Sequence, residues 1–355
     1  MINHKVFWGD KVVKKLRESI KKEYGFKVHN MKRIPTPKNT SVYRLQTDRG
    51  TYILKSIHTS KRRQLFILEA EDYLRNQGIS IPEVIPTKRG TPYFLWKQSL
   101  YILQRFCHGK PANLRSPKGV KQAGKLLGKM HRVSLGFHST HRALYVGARD
   151  WIQEYEDDLL AIKNWKKRNS SNRTPKIKAI LSYIRFFLSS GKTACDLLHR
   201  NSFFLKWKGL PAHEHFLCHG DFHPRNFLVD RSATTIIDWE DVRYDFPSKD
   251  MFRLVDNIIE LDSKWSKAKF SLLLSAYLIE NPLTDQQKSL LFLDMAFPHV
   301  FERFLRKKIY HRMSLSQVKR FLRREKQKTK DMLERAVSYL FLFDANSCMA
   351  LSPMI

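Results

Sequence analysis

Apolar positions in the first 107 residues predict a small sheet built from hairpins, accompanied by two helices. Apolar residues three and four positions apart favour a helix over residues 4–24, and residues 62–77 form a second candidate helix that ends at Gly78. Short apolar runs on either side of turn residues predict two hairpins, formed by residues 42–45 with 51–55 and by residues 92–96 with 100–104. Because hairpin strands run antiparallel, this part is predicted to be an antiparallel sheet.

Beyond residue 107 most segments have the spacing of helices. They are predicted over residues 117–133, 150–165, 177–187, 194–202, 267–279, 285–297, 300–312 and 317–341. The basic segment 164–178 includes Ser, Asn, Thr and Pro, and it is predicted to be an exposed loop. The second part of the chain is therefore predicted to be mainly helical.

One further hairpin interrupts these helices. Residues 226–230 and 234–237 are predicted strands, joined by a turn at 231–233. The motif His219-Gly220-Asp221 precedes this hairpin, and Asp238 follows its second strand. Acidic and amide side chains are thus predicted to lie at one end of the hairpin.

Phosphoryl transfer needs this set of side chains. Two oxygen donors hold Mg²⁺ against the nucleotide phosphates, and a separate carboxylate orients the attacking hydroxyl. Asn226 and Asp238 suit the metal-ligand role, and Asp221 suits the catalytic role. The step from Asp221 to Asn226 matches the D-x-x-x-x-N loop of protein kinases. Either aspartate alone would equally suit a turn or a strand end, but the combination around a hairpin favours catalysis.

The motif H-G-D-x-x-x-x-N followed by I-I-D-W-E resembles the aminoglycoside phosphotransferase and choline kinase superfamily. The basic character, the length and residues 52–55 are most similar to the CotS group of spore-coat kinase-like proteins. The resemblance implies an α+β, protein-kinase-like fold with two lobes. The small antiparallel-sheet N-lobe would span residues 1–107, and the large, mainly helical C-lobe would span residues 108–355.

The same resemblance implies an activity. The chain would transfer a phosphoryl group from ATP, bound with Mg²⁺ between the lobes, to a hydroxyl of a small molecule or of a coat component. The alternative is a catalytically weak or inactive kinase-like structural protein of the spore coat, because a fold does not fix a function. Synthesis in the cytoplasm and a final place in the spore coat are expected.

Further residues resemble the nucleotide-binding residues of the family. Lys55 ends a predicted strand, as the lysine that contacts the α- and β-phosphates does. Glu69 is the preferred partner for it, because Glu69 shares a helix face with Phe66 and Tyr73, and Glu71 is the alternative. Residues 104–107 resemble the hinge that meets the adenine, which makes Gln104 and Phe106 candidate nucleotide contacts.

Two positions depart from the family. The loop over the phosphates should contain glycine so that the backbone can approach the ligand, but residues 35–41 contain none. Asn39, Thr40 and Ser41 are left to offer amides and hydroxyls. His108 stands where the family often has an acidic residue. Weak nucleotide binding is one consequence to be expected.

Several other residues have an expected structural role. His131 lies in an L-x-x-x-H helix and is predicted to be a buried structural histidine. His219 is expected to brace the loop of residues 219–226 by hydrogen bonds. Asp250 resembles the aspartate that ties the next helix to this loop. The four histidines of this region also suit a zinc site, which is the competing interpretation: His213, His215, His219 and His223.

The composition of the chain indicates which kinds of partner it would attract. The 355 residues include 65 Lys+Arg and 33 Asp+Glu, which gives a net charge of +32 and predicts attraction to polyanions: nucleotides, nucleic acid, anionic lipid or an acidic protein matrix. With the family resemblance, this makes other spore-coat proteins or acidic polymers the candidate partners. The basic segment 306–330 is expected to be a solvated helix face, with docking on an acidic partner as the sharper possibility. Specific nucleic-acid binding is not expected, because no nucleic-acid module is recognisable.

The start of the chain lacks the apolar core of a signal peptide, and no apolar run is long enough for a membrane span. The four cysteines show no CxxC spacing. Buried, reduced thiols in a soluble protein are therefore expected.

Overall fold

The structure is a computed structural model, and it describes residues 10–36, 40–141, 146–230 and 233–349. The chain divides into two compact units. Unit 1 comprises Met1–Lys110 and Phe227–Ile237, and unit 2 comprises Pro111–Asn226 and Asp238–Ile355. Unit 1 is a small antiparallel sheet with helices and unit 2 is mainly helical, which confirms the predicted α+β class. The lobe boundary predicted at residues 107/108 stays a prediction.

The elements are numbered in chain order. The strands are β1 (Val28–Ile34), β2 (Val42–Thr47), β3 (Gly50–Ile57), β4 (Phe94–Trp96), β5 (Ser99–Arg105), β6 (Lys110–Pro111), β7 (Phe216–Cys218), β8 (Phe227–Val229), β9 (Thr234–Ile236) and β10 (Arg243–Asp245). The helices are α1 (Asp10–Tyr24), α2 (Lys61–Asn76), α3 (Pro117–Ser134), α4 (Trp151–Asn169), α5 (Pro175–Arg200), α6 (Ser202–Trp207), α7 (Ser248–Asp262), α8 (Lys267–Glu280), α9 (Asp285–Ala296), α10 (His299–Arg306) and α11 (Leu315–Met349). Residues 4–9 of the first predicted helix and the turn residues 231 and 232 lie outside the described residues.

The main sheet of unit 1 has the order β1–β2–β3–β5–β4, with antiparallel neighbours. Both predicted hairpins are present, as β2–β3 and β4–β5. One face of the sheet is apolar, and Leu16 and Ile20 of α1 belong to the same core cluster as Leu54 of β3. Because side chains alternate along a strand, Lys55 lies on the opposite face from Leu54.

Unit 2 is built around a long helix, α5. Its apolar side shares one core cluster with side chains of α4, α10 and α11, among them Trp165, Phe187, Phe301 and Leu322. The prediction of an exposed loop over residues 164–178 is wrong, since α4 continues to Asn169 and α5 begins at Pro175. Burial of Trp165 at 6% exposure explains the difference, because tertiary packing outweighed the polar composition.

Other helix boundaries also differ from the predictions. The segments 177–187 and 194–202 are joined in the single helix α5, where Gly191 lets Leu159 and Pro298 pack closely. The helix predicted over residues 300–312 ends at Arg306, and Lys308 then takes a left-handed conformation with φ of 50°. Ser314 accepts the Gln317 N–H and so caps α11.

The basic segment 306–330 is not entirely a solvated face. Lys328 and Glu325 are 1% and 2% exposed, and their side chains approach to 3.2 Å. Lys328 also lies 5.1 Å from the ring of Phe252. The prediction of a solvated face was therefore wrong for this part of the segment, because helix packing turns two of its charges inward.

Helices α3 and α8 pack in close contact through two glycines of α3. A Cβ atom at Gly124 would lie 2.4 Å from the Leu273 carbonyl oxygen, and one at Gly128 would lie 2.5 Å from the Tyr277 carbonyl oxygen. Only glycine allows this approach. The contact brings His131, on the next turn of α3, beside the Tyr277 side chain.

In the described residues Cys107, Cys195 and Cys218 are free thiols, and the side chain of Cys348 lies outside them. No helix in those residues has both the length and the apolar character that crossing a membrane requires.

Candidate active site

The loop after β7 is held by a buried carboxylate. Residues 219–226 form this loop, which is called the 219–226 loop below. Asp250 of α7 is fully buried and accepts the backbone N–H of His219 at 2.6 Å and that of Gly220 at 2.8 Å. A carboxylate that accepts two amide bonds fixes the path of the backbone. The predicted role of Asp250 is thereby confirmed.

Asp250 is in turn held by a chain of side chains. The Asn281 side-chain amide donates to the Tyr277 hydroxyl at 2.7 Å, and this hydroxyl lies 3.0 Å from Nδ1 of His131. The Tyr277 hydroxyl can then donate to Nδ1, so that the Nε2 proton of His131 points at Asp250, 3.2 Å away. The buried, structural place predicted for His131 is confirmed.

The electrostatics of Asp250 follow from these contacts. Burial by itself would raise its pKa, but the hydrogen bonds donated by His131 and by the backbone of His219 lower it below the ordinary value. Asp250 is therefore the charged anchor of the 219–226 loop.

Gly220 fixes the loop against the segment that contains Asp238. Its φ is 80°, and a Cβ atom there would lie 2.3 Å from the Asp241 carbonyl oxygen. Both the left-handed backbone and the close approach require glycine. The 219–226 loop and residues 238–241 therefore pack directly on one another.

Asp221 and Asn226, at the two ends of the predicted motif, are brought together. The Asn226 amide nitrogen donates to the Asp221 backbone carbonyl at 2.9 Å and to its carboxylate at 3.2 Å. The Asp221 N–H donates to Nδ1 of His219 at 3.2 Å, which confirms the expected bracing by His219. Because the amide nitrogen of Asn226 is engaged, its side-chain oxygen is the atom left for other ligands.

Two basic side chains whose contacts with Asp221 the sequence did not predict lie next to its carboxylate. His223 Nε2 is 3.5 Å away and Arg253 Nη2 is 3.8 Å away. The Arg225 N–H donates to Nδ1 of His223, so the ring proton is at Nε2 and points at Asp221. The hydrogen bond from His223 and the charge of Arg253 lower the pKa of Asp221 to about 2 despite partial burial.

Asp238 has an unusual backbone conformation, with φ of 69° and ψ of 60°. A left-handed conformation is uncommon outside glycine, and such residues concentrate at functional sites. Phe227 pairs with Ile236 in the β8–β9 hairpin, so Asn226 and Asp238 flank the same end of it. The hairpin register thus supports the predicted grouping of these two oxygen donors.

The nucleotide candidates of unit 1 are placed as follows. Lys55 lies on β3, opposite Val42 and Ile102 of the neighbouring strands. On α2, Glu69 is half-buried, whereas Glu71 is 3% exposed. Gln104 is buried on β5.

Phe106 follows β5, and its backbone N–H donates to the Thr51 carbonyl at 3.1 Å. Its ring lies under the Arg44 guanidinium at 4.4 Å and edge-on to His108 at 5.0 Å. Residues 104–107 were predicted to meet the adenine, and within them the amide of Phe106 is engaged inside unit 1. Its ring and carbonyl are the groups left for a ligand.

Only part of the predicted phosphate loop is described, and Asn39 lies outside the described residues. Ser41 was expected to offer its amide to a phosphate. Its N–H instead donates to the Ser56 hydroxyl at 2.8 Å, and Ser41 is buried. The Thr40 carbonyl accepts the Thr36 hydroxyl at 2.9 Å. The expectation for the Ser41 amide is therefore wrong, because strand β3 already uses that donor.

The zinc interpretation of the four histidines finds no support in the described residues. Two groups there have metal-ligand geometry, His131 with Cys218 and Asp250, and Glu156 with Cys195 and His199. Neither group contains any of the four histidines His213, His215, His219 and His223. His215 is buried, with Nε2 3.2 Å from the Leu210 carbonyl and its ring against Trp207.

Comparison with known proteins decides the family. Residues 31–281 match the family described as "Phosphotransferase enzyme family" (APH). The chain belongs to this phosphotransferase family. The resemblance inferred from the loop and hairpin motif is thus confirmed.

This phosphotransferase has a relative among coat proteins. It is 25% identical over 289 residues to Spore coat protein S of Bacillus subtilis (strain 168), a match that covers 78% of this chain and 80% of the relative. The predicted similarity to spore-coat kinase-like proteins is confirmed.

Solved structures of phosphotransferases share the fold. An aminoglycoside phosphotransferase from Alicyclobacillus acidocaldarius superposes with a TM-score of 0.70 at 15% identity, over 93% of this chain and 95% of that chain. Amicoumacin kinase hAmiN, in complex with AMP-PNP, Ca²⁺ and Ami, superposes with a TM-score of 0.63 at 16% identity, over 91% and 94%. The kinase-like fold is confirmed.

Proposed function

We propose that this phosphotransferase transfers the γ-phosphoryl group of ATP to a hydroxyl of a small molecule or of a spore-coat component. The arrangement of Asp221 and Asn226 carries the proposal. The side-chain nitrogen of Asn226 donates to Asp221, so the side-chain oxygen of Asn226 is left for a metal ion. A carboxylate for the acceptor hydroxyl and an oxygen ligand for the metal are then next to each other, as phosphoryl transfer requires.

Asp221 is proposed to orient the acceptor hydroxyl. A general base is most effective when its pKa is near the working pH. The pKa of Asp221 is about 2, so it is a weak base and a permanently charged hydrogen-bond acceptor at neutral pH. Its contribution is therefore to position the hydroxyl for attack on the γ-phosphorus. ADP leaves as the new oxygen–phosphorus bond forms, and the hydroxyl proton is released to solvent.

The residues present fit a magnesium ion. Mg²⁺ binds carboxylate and amide oxygens, and Asn226 and Asp238 provide these beside the same hairpin end. We assign both as ligands. The ion would neutralise phosphate charge during transfer. The left-handed backbone of Asp238 is consistent with a side chain held for this purpose.

Unit 1 is proposed to hold the nucleotide. Lys55 would steady the phosphates, with a helix glutamate as its partner. Gln104 and Phe106 would contact the adenine, Phe106 through its ring, since its N–H is bonded to Thr51. Solved kinase relatives that bind nucleotide analogues, such as the complex with AMP-PNP and Ca²⁺, support the choice of ATP and a divalent ion.

The proposed place of action is the spore coat. The name of the Bacillus subtilis relative supports it, and so does the charge of +32, which favours acidic coat proteins or polymers as partners.

Nucleotide binding is tested by thermal unfolding with and without Mg²⁺ and ATP. A ligand that binds only the native state at about 100 times its Kd stabilises by about 2.7 kcal/mol. We expect a Mg²⁺-dependent upward shift in Tm for the wild type and its loss in Asp238→Asn. Asp241→Asn, three residues further along, is the matched control and should keep the shift.

Two outcomes would overturn the nucleotide assignment. One is no shift at millimolar ATP, which would leave the structural coat protein as the better account. The other is a shift that needs neither Mg²⁺ nor Asp238, which would mean that the basic surface binds ATP as a polyanion.

The partner of Lys55 is testable with two matched variants. Glu69 was preferred from the helix face, and this choice stays a prediction. A carboxylate buried to 3% exposure needs a cation, which favours Glu71. We expect Glu71→Gln to raise the KM for ATP by about 10-fold, the equivalent of about 1.4 kcal/mol. Glu69→Gln should then change it by less than about 2-fold, and the reverse ranking would restore Glu69.

A further inference from the structure

A second group of metal-binding side chains lies on helices α4 and α5, outside the proposed active site. Glu156 of α4 and Cys195 and His199 of α5 place their ligand atoms within 4.8 Å of one another. Cys195 and His199 are four residues apart, so they share one face of α5. The proposed phosphoryl transfer uses none of these three side chains.

We propose that Glu156, Cys195 and His199 form a zinc site. Thiolate, imidazole and carboxylate are the ligands that Zn²⁺ takes in proteins, and a thiolate disfavours Mg²⁺ and Ca²⁺. Three protein ligands leave a fourth position for water. That position faces solvent, because Glu156 and His199 are both exposed.

The present geometry needs only a small adjustment. His199 Nε2 lies 3.0 Å from Glu156 Oε1. Bonds of about 2.0–2.3 Å from zinc to nitrogen, oxygen and sulfur put neighbouring ligand atoms roughly 3.3–3.7 Å apart in a tetrahedral site. The side chains of His199 and Glu156 are 44% and 49% exposed, so they can rotate, whereas Cys195 is 6% exposed and fixed by packing. Binding would displace the thiol proton to solvent, leaving a zinc–thiolate bond.

A surface ion pair explains only part of the arrangement. An exposed His–Glu pair contributes little to stability and does not account for a thiol next to it.

The group of His131, Cys218 and Asp250 is different, because hydrogen bonds within the fold already explain its arrangement. There Asp250 accepts two loop amides, and the Cys218 thiol donates to the Phe246 carbonyl at 3.3 Å, all within a fully buried site. The atoms of that group already serve the 219–226 loop, and its burial leaves no open side.

The test measures metal binding by the full, reduced chain. Zn²⁺ affinity is obtained by competition with a chromophoric chelator, and Co²⁺ serves as the spectroscopic probe because a cobalt–thiolate bond gives a charge-transfer band. We expect one zinc ion at this site and a cobalt–thiolate band that disappears in Cys195→Ala. Losing a group that only orients a ligand already weakens metal binding about 10- to 100-fold. Losing a ligand itself, through Glu156→Gln or His199→Ala, should therefore weaken zinc binding by at least 10-fold.

Matched controls define the site. Asp157→Asn, on the next residue of α4, and Cys107→Ser should bind zinc as the wild type does. Asp238→Asn should also retain it, which separates this site from the proposed magnesium site. The proposal is overturned if the wild type gives no cobalt–thiolate band, or if Glu156→Gln and His199→Ala bind zinc with unchanged affinity. Both of these variants alter exposed side chains, so they decide the matter even if Cys195→Ala does not fold.

Discussion

Asp221→Asn is expected to lower phosphoryl transfer by at least about 10²-fold while leaving Mg²⁺-dependent ATP binding in place. Asp221 is proposed to position the acceptor hydroxyl, and a reactant misplaced by about 1 Å can lose about 10²-fold in rate. Asparagine keeps the size of the side chain but replaces one acceptor oxygen by a donor, which would face the donors of His223 and Asn226. Transfer is measured as radiolabelled phosphate moved from ATP to acceptor, and binding as the shift in Tm.

A matched control separates the acceptor role from the general charge of the loop. Asp230→Asn alters an exposed aspartate after β8 and should leave transfer within about 2-fold of the wild type, as surface substitutions usually do. If Asp221→Asn transfers phosphate at the wild-type rate, Asp221 is not the orienting group. If the variant instead loses ATP binding with normal turnover at saturation, Asp221 belongs to the metal site.

The pH dependence of this carboxylate follows from its pKa. The folded-state pKa is about 2, below the ordinary 3.8, so the folded chain binds this proton more weakly than the unfolded chain does. The resulting stabilisation is complete above about pH 4 and is lost as the pH falls through about 2. Asp221 stays charged at every pH at which the enzyme would be assayed. An acid limb above pH 4 in the rate profile would belong to another group.

Short motifs were the part of this site that the sequence could reveal. Asp221 and Asn226 are five residues apart and share hydrogen bonds. A hairpin of fixed register returns the chain to Asp238, so local geometry favours the grouping proposed for all three. Asp250 was found by resemblance, and its contacts with the 219–226 loop confirm the role. The sequence could indicate these residues because they are close together along the chain or because they match a family motif.

Long-range packing was beyond the sequence patterns. Arg253 approaches Asp221 from α7, and no local spacing connects the two. Trp165 lies in a basic, polar segment, yet a core cluster buries it and extends the helix around it. Lys328 sits in a run of charges, and only the packing of α11 turns it inward. These features depend on which helix faces meet, and periodicity within one helix does not specify its neighbours.

Asp250→Ala is expected to destabilise the fold by about 3–5 kcal/mol, because each buried donor left without its acceptor costs about 1–3 kcal/mol. It leaves three donors without their acceptor: the N–H groups of His219 and Gly220 and the ring of His131. Asp250→Asn keeps one acceptor oxygen and should lose less, about 1–3 kcal/mol. At about 2–4 °C per kcal/mol, the Tm of the alanine variant should fall by roughly 10 °C.

The control for Asp250 is Asp262→Asn, at the other end of α7. Asp262 contacts Lys269 at 2.7 Å in a partly exposed pair, and its loss should cost no more than about 1 kcal/mol. Equal destabilisation by Asp250→Ala and Asp262→Asn would contradict the anchoring role.

The pH dependence of Asp250 provides a second, independent sign of that role. Its folded-state pKa is lowered, so its stabilising effect is present above the ordinary pKa of 3.8 and is lost as the pH falls below it. The wild type should therefore lose more stability on acidification than Asp250→Asn does.

Activity assays well below the Tm of each variant separate loss of folding from loss of the position of Asp221. A folded Asp250→Asn protein should still bind Mg²⁺-ATP, but it should transfer phosphate slowly because Asp221 is no longer held in place. Full turnover by the folded variant would mean that the 219–226 loop keeps its shape without this carboxylate.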